Sequence, residues 1–147
     1  MEASPTASNL GHWVKMINHD TTIKMNRLLK PFGLTRSAWS VLYQVNQAER
    51  ISQKTLQETL RIESGSMAII VDSLVRKGWL ERTSSEKDRR ANYLKLTPKG
   101  AARWKTVPDV VSILRKEMMR GITEEEEKAG IAVLKKCWAN LAKTTAV

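Results

Sequence analysis

The stretch Asn92–Leu96 places Leu94 and Leu96 on one side of an extended chain and Tyr93 and Lys95 on the other. Before it stands Trp79-Leu80-Glu81-Arg82-Thr83, and between the two lies the polar, charged run Ser84–Arg90. This pattern predicts a two-stranded hairpin with a long basic tip. A lone hairpin is marginal in water, so the surrounding segments must supply the core. Those segments repeat apolar residues every three to four positions, which is helical spacing.

Leu10, Val14, Ile17, Thr21 and Leu28 predict a long first helix that ends at Pro31 and Gly33. Thr35 offers an N-cap to a second helix, whose apolar face is Ala38, Trp39, Val41, Leu42 and Val45. Ser52 caps a short third helix bearing Leu56 and Leu60. After the break Arg61-Ile62-Glu63, Ser64 is expected to cap a fourth, with Met67, Ile70, Val71 and Leu74 inward and Gly78 at its end. Two short helices meeting at a tight turn outline a helix-turn-helix. Thr97-Pro98 is a sharp helix start. The seam Trp104, Val107, Val111, Leu114 and Met118 is interrupted by Pro108, which should kink or restart that helix. Thr123 and Glu126 form a capping box for a last helix striped by Ile131, Leu134, Trp138 and Leu141. The terminal helices carry more apolar stripe than one small winged domain covers, which predicts a homodimer joined through them.

At 147 residues there is room for about one hydrophobic core. Lys and Arg outnumber Asp and Glu by 25 to 15, a net charge of +10, and the segment 50–105 alone holds thirteen basic against six acidic residues. Such a balance draws polyanions, nucleic acid first among them. Helix, helix, turn, helix and hairpin in that order place one helix for a major groove and a loop for the adjacent minor groove. Ser64, Gly65, Ser66 and Ala68 would stand at the exposed start of the reading helix, with Ile69 touching a thymine methyl. Lys54, Arg61, Arg76 and Lys77 are phosphate-contact candidates. At the hairpin tip, Asp88 beside Arg89 and Arg90 can hold the loop's shape while an arginine enters a narrow minor groove.

The runs LTRSAWSVLYQV at 34–45, IESGSMAIIVDSLVRKGWLER at 62–82 and DRRANYLKLTPKG at 88–100 resemble the MarR family of bacterial winged-helix regulators, and its SlyA branch in particular. The resemblance implies a mainly α (α+β) fold, a winged helix-turn-helix with terminal dimerisation helices. Residues 1–8 would be a flexible terminus and 9–147 a single domain, with 34–100 as the winged core and 9–30 and 98–143 as dimerisation helices. It makes Asp88 the shape-holding carboxylate, Arg90 the minor-groove arginine and Arg89 its neighbour. The expected partner is double-stranded DNA with a pseudo-palindromic site. Where SlyA-like chains often carry an arginine in the reading helix, this one has Ile69, so more of the specificity is expected from DNA shape.

Family members commonly answer to small aromatic or phenolic anions. Trp13, Met16, Arg36, Trp39 and Tyr43 would line such a pocket, apolar walls with one cation, although tryptophans at helical spacing also serve as plain core. The lone cysteine, Cys137, excludes an internal disulfide and is expected to be a buried, inert thiol. No metal site or cofactor is expected, since His12 and His19 are two helical turns apart. No catalytic motif is visible. With neither a secretion signal nor an apolar run of membrane-spanning length, the chain is expected to be soluble, cytoplasmic and nucleoid-associated. A sequence-indifferent architectural protein that coats DNA by charge is the alternative function, and an adaptor that binds no DNA a weaker one.

Overall fold

The computed structural model describes residues 9–84 and 93–144. The chain divides in sequence into two compact units, Met1–Val110 and Val111–Val147. The first contains α1 (Leu10–Leu29), a 3-10 turn (Lys30–Phe32), α2 (Arg36–Ala48), β1 (Ile51–Ser52), α3 (Gln53–Leu60), α4 (Ser64–Arg76), β2 (Leu80–Thr83), β3 (Tyr93–Leu96) and α5 (Pro98–Trp104). The second contains nearly all of α6 (Val110–Met118), and α7 (Glu124–Thr144). The architecture is mostly helical with one small antiparallel sheet, as expected.

The hairpin forms with Leu80 opposite Leu96 and Arg82 opposite Leu94. A third strand, absent from the sequence reading, completes the sheet: β1 pairs antiparallel with β3, Ile51 opposite Leu94, giving the order β1-β3-β2. Leu94, on the middle strand, thus stands opposite residues of both its neighbours, and it is fully buried. The core it belongs to also holds Val41, Leu42 and Val45 of α2, Leu56 of α3, and Met67, Val71 and Leu74 of α4, all with almost no exposed surface. Ile70 and Leu60, expected inward with them, are half-buried.

Four of the expected caps form. Thr35 accepts from the Ala38 amide at 3.2 Å, Ser52 from Thr55 at 3.0 Å and Thr97 from Gly100 at 2.9 Å. Thr123 and Glu126 exchange the two bonds of a capping box at 2.8 and 3.2 Å. The Thr97 hydroxyl also donates to the Gly78 carbonyl at 2.6 Å, which fastens α5 to the turn after α4. Gly78 takes φ of +70°, a left-handed turn that glycine enters without steric cost.

The first helix buries Met25 and Leu29, where α2 packs on its C-terminal half, and leaves Leu10, Val14 and Ile17 of its expected apolar stripe exposed. The seam is interrupted at Pro108 as expected: α5 ends at Trp104 and the helix restarts as α6 at Val110, which is buried while Val111 is exposed. Cys137 is exposed on α7 rather than buried, as are Ile131, Leu134, Trp138 and Leu141 of the same helix. Within the second unit, Arg115 of α6 forms a two-pronged ion pair with Glu127 of α7 at 2.6 and 3.1 Å. The hydrogen bond from Arg115 holds the Glu127 carboxyl below its usual range, and the same bond raises the Arg115 guanidinium. No helix of the described residues is long and apolar enough to cross a membrane.

Candidate nucleic-acid interface

The exposed face of α4 is built from the turn that precedes it. Arg61 ends α3 in the left-handed region (φ 51°, ψ 41°), its amide bonded to Gln57, and this sharp reversal swings the chain into α4 within three residues. Ser64 is not the cap: Glu63 occupies that position, and no side chain caps the first turn. The cap is lost because the reversal at Arg61 delivers Ser64 already in helical conformation, where its hydroxyl accepts from the Gln57 side-chain Nε2 at 3.4 Å. The amides at the start of α4 are therefore left for an outside acceptor, and the helix dipole adds partial positive charge there.

Ser64, Gly65, Ser66 and Ile69 are exposed on this end, and Ala68 is half-buried. Ile69 has 71% of its surface open to solvent. A β-carbon on Gly65 would meet nothing within 4 Å, so the backbone is bare there. Farther along the helix Asp72 pairs with Arg82 of β2. Ile69, Asp72, Val75, Arg76 and Arg82 together line a shallow cleft of about 420 Å³. Lys54 and Arg76 are exposed, on α3 and near the end of α4. Lys77 is already engaged: its ammonium donates to the Gly33 carbonyl at 2.6 Å and lies 5.1 Å from the centre of the Trp79 ring. Asp88, Arg89 and Arg90 lie outside the described residues.

The residues considered for a ligand pocket fall into two groups. Trp39 is buried and stacks on Tyr43 at 5.2 Å, with Trp104 of α5 at 5.9 Å. Arg36 beside them is tied to α1, where it bonds the Asn18 side chain at 3.0 Å and the Thr22 hydroxyl. Trp13 and Met16 lie on the exposed face of α1, Trp13 edge-on to His12. Trp104, β1, the Asp72–Arg82 pair and the engagement of Lys77 went unseen in the sequence. Each joins positions ten or more residues apart, and the seam that held Trp104 gave no sign of its place beside Trp39.

The MarR family model matches residues 32–91, the span from the end of α1 into the hairpin. The chain is 30% identical over 128 residues to the multiple antibiotic resistance protein MarR of Escherichia coli, covering 86% of this chain and 89% of that one. A mutant of the Escherichia coli MarR, solved in complex with operator DNA, is similar at a TM-score of 0.80 and 28% identity, over 92% of this chain and 99% of that chain. The PcaV regulator of Streptomyces coelicolor, solved with its natural ligand, shares the fold at a TM-score of 0.76 and 18% identity, over 95% and 98% of the two chains. An exposed helix on a three-helix core with a hairpin beside it, and a relative at this identity over nearly its whole length, lead to one conclusion. The chain belongs to the MarR family of winged-helix transcriptional regulators.

Proposed function

We propose that this chain is a homodimeric, sequence-specific DNA-binding regulator that acts as a repressor or anti-silencer. The observation that carries the reading is the uncapped, exposed start of α4 at Ser64, Gly65 and Ser66, bare backbone amides on the most basic part of the chain. In this reading α4 enters the major groove, Lys54 and Arg76 meet phosphates, and Asp88, Arg89 and Arg90 form the wing's minor-groove contact. The structure of the Escherichia coli relative with operator DNA supports it.

Residues 9–147 act as one MarR-like domain, 34–100 reading DNA and the terminal helices joining two copies. The open apolar stripe of α7, with Ile131, Leu134, Trp138 and Leu141, supports that division. The wing pattern supports placement in the SlyA-like branch, and the assembly works in the cytoplasm on chromosomal DNA. A small aromatic or phenolic anion modulates affinity by favouring one spacing of the two reading helices over another. The stacked Trp39 and Tyr43 supply the apolar wall, and the anion competes with Asn18 and Thr22 for Arg36.

Fluorescence anisotropy tests this on a duplex from the gene's own upstream region against a scrambled duplex, at about 50 and 200 mM salt. A preference of about a hundredfold that survives the higher salt is the expected result. Equal affinities that collapse together would mean either that this upstream region lacks the operator or that the protein is a charge-driven DNA coater.

A further inference from the structure

We propose that Asp72 is a positioning residue for DNA specificity: it holds the Arg82 guanidinium at the edge of the α4 reading face and withholds it from indiscriminate phosphate contact. The inference rests on the reading of α4 as the groove-entering helix.

Three observations carry it. Ile69, Asp72 and Arg76 follow one another at three- and four-residue spacing, so they share one face of α4. Arg82 reaches that face from β2 and forms its ion pair with Asp72 inside the cleft that Ile69, Val75 and Arg76 also line. Both members are partly open, with 38% of the Arg82 side chain and 55% of the Asp72 side chain exposed. An ion pair this exposed adds little to folding, so holding the unit together does not account for a carboxylate here. On a surface that meets a polyanion, a carboxylate repels every duplex alike unless its position helps one sequence more than the others.

Discrimination needs a repulsive element as well as an attractive one. Arg76 remains exposed with no carboxylate held against it among the described ion pairs, and it is free to meet a phosphate. Arg82, held by Asp72, reaches the DNA only where the groove brings an acceptor to the guanidinium's fixed position. Beside Ile69, which offers apolar contact alone, this makes Arg82 a charged reader farther along the helix than Ser64 and Ser66. A guanidinium kept in one orientation also loses less freedom on binding than a loose one.

The test is a double-mutant cycle with Asp72→Asn and Arg82→Ala, read by anisotropy on operator and scrambled duplexes across a salt series, with circular dichroism for folding. Asp72→Asn is expected to raise scrambled-duplex affinity about tenfold, leave operator affinity within about threefold, and steepen the salt slope by roughly one phosphate per half-site. That gain should vanish in the Arg82→Ala background, and Asp72→Glu should restore the preference. If the gain persists without Arg82, Asp72 acts as a plain charge and the proposal fails. It fails too if Asp72→Asn weakens both duplexes equally or leaves their ratio unchanged. A wild-type protein without any operator preference would overturn the specific-regulator reading itself, a result distinguishable from all of these.

Discussion

Gly100, in the first turn of α5, lies against the backbone of Trp79, and a β-carbon on it would stand 2.8 Å from the Trp79 carbonyl carbon. The Trp79 carbonyl accepts from the Thr97 amide at 3.1 Å, so neither strand end nor helix start can give way. Gly100→Ala is therefore expected to destabilise the first unit by about 3 kcal/mol, the scale of overpacking against unyielding atoms. Thr97→Ala, which removes one cap and one link to Gly78, should cost about 1–2 kcal/mol. Urea unfolding of the two variants checks the order.

Gly65→Ala separates stability from binding. The site is helical and open, so alanine should raise stability by up to about 1 kcal/mol. If the α4 backbone approaches DNA there, the same methyl group lowers operator affinity about tenfold. A thermal melt and an anisotropy titration on one sample show whether the two move in opposite directions.

The Arg115–Glu127 pair gives a signed pH dependence. The folded Glu127 carboxyl is held below its ordinary value, first by the hydrogen bond from Arg115 and also by its charge, with partial burial opposing. Its contribution is present above the unfolded value, near about 4.3, and is lost as pH falls through the lower folded value. The stability gap between wild type and Glu127→Gln should hold constant from pH 7 to 5 and shrink below that. Denaturation midpoints across pH 3–7 measure it, and a gap independent of pH would remove the pair from the account.

The open stripe of α7 should join two copies. Ile131→Glu with Leu134→Glu is expected to shift sedimentation from dimer to monomer at micromolar concentration and to lower operator affinity at least a hundredfold. Helix content should be retained, because both side chains are about half exposed in the single chain.

Arg90→Ala is expected to weaken operator binding more than Lys54→Ala, since an arginine in a narrow minor groove gains more than one on an open phosphate. Titrations at matched salt give the comparison, and equal losses would count against the wing's role.

The sequence was most informative where one residue bonds another three positions away. The caps at Thr35, Ser52, Thr97 and Thr123 are of this kind, because a hydroxyl and an amide within one turn need nothing distant to meet. Ser64 has the same chemistry yet does not cap, for the left-handed residue Arg61 sets where α4 begins. The two-residue strand Ile51–Ser52 left no pattern to read, since its pairing partner is some forty positions away. Apolar spacing predicted α1 as a helix, but which part of it is covered depended on where α2 docks, and that buries Met25 and Leu29. For the candidate interface, the order of elements pointed to α4, but Asp72 and Arg82 meet only once β2 has folded back along the helix.

The sheet order β1-β3-β2 has a mechanical consequence. The strand that carries the hairpin outward is the central one, and its other edge is stitched to the two residues that lead directly into α3. A push on the hairpin is delivered to the root of the helix-turn-helix through β3, whose one buried residue, Leu94, stands opposite both Ile51 and Arg82. The hairpin strands and the start of α3 are thus geared together, and whatever displaces one must turn the other.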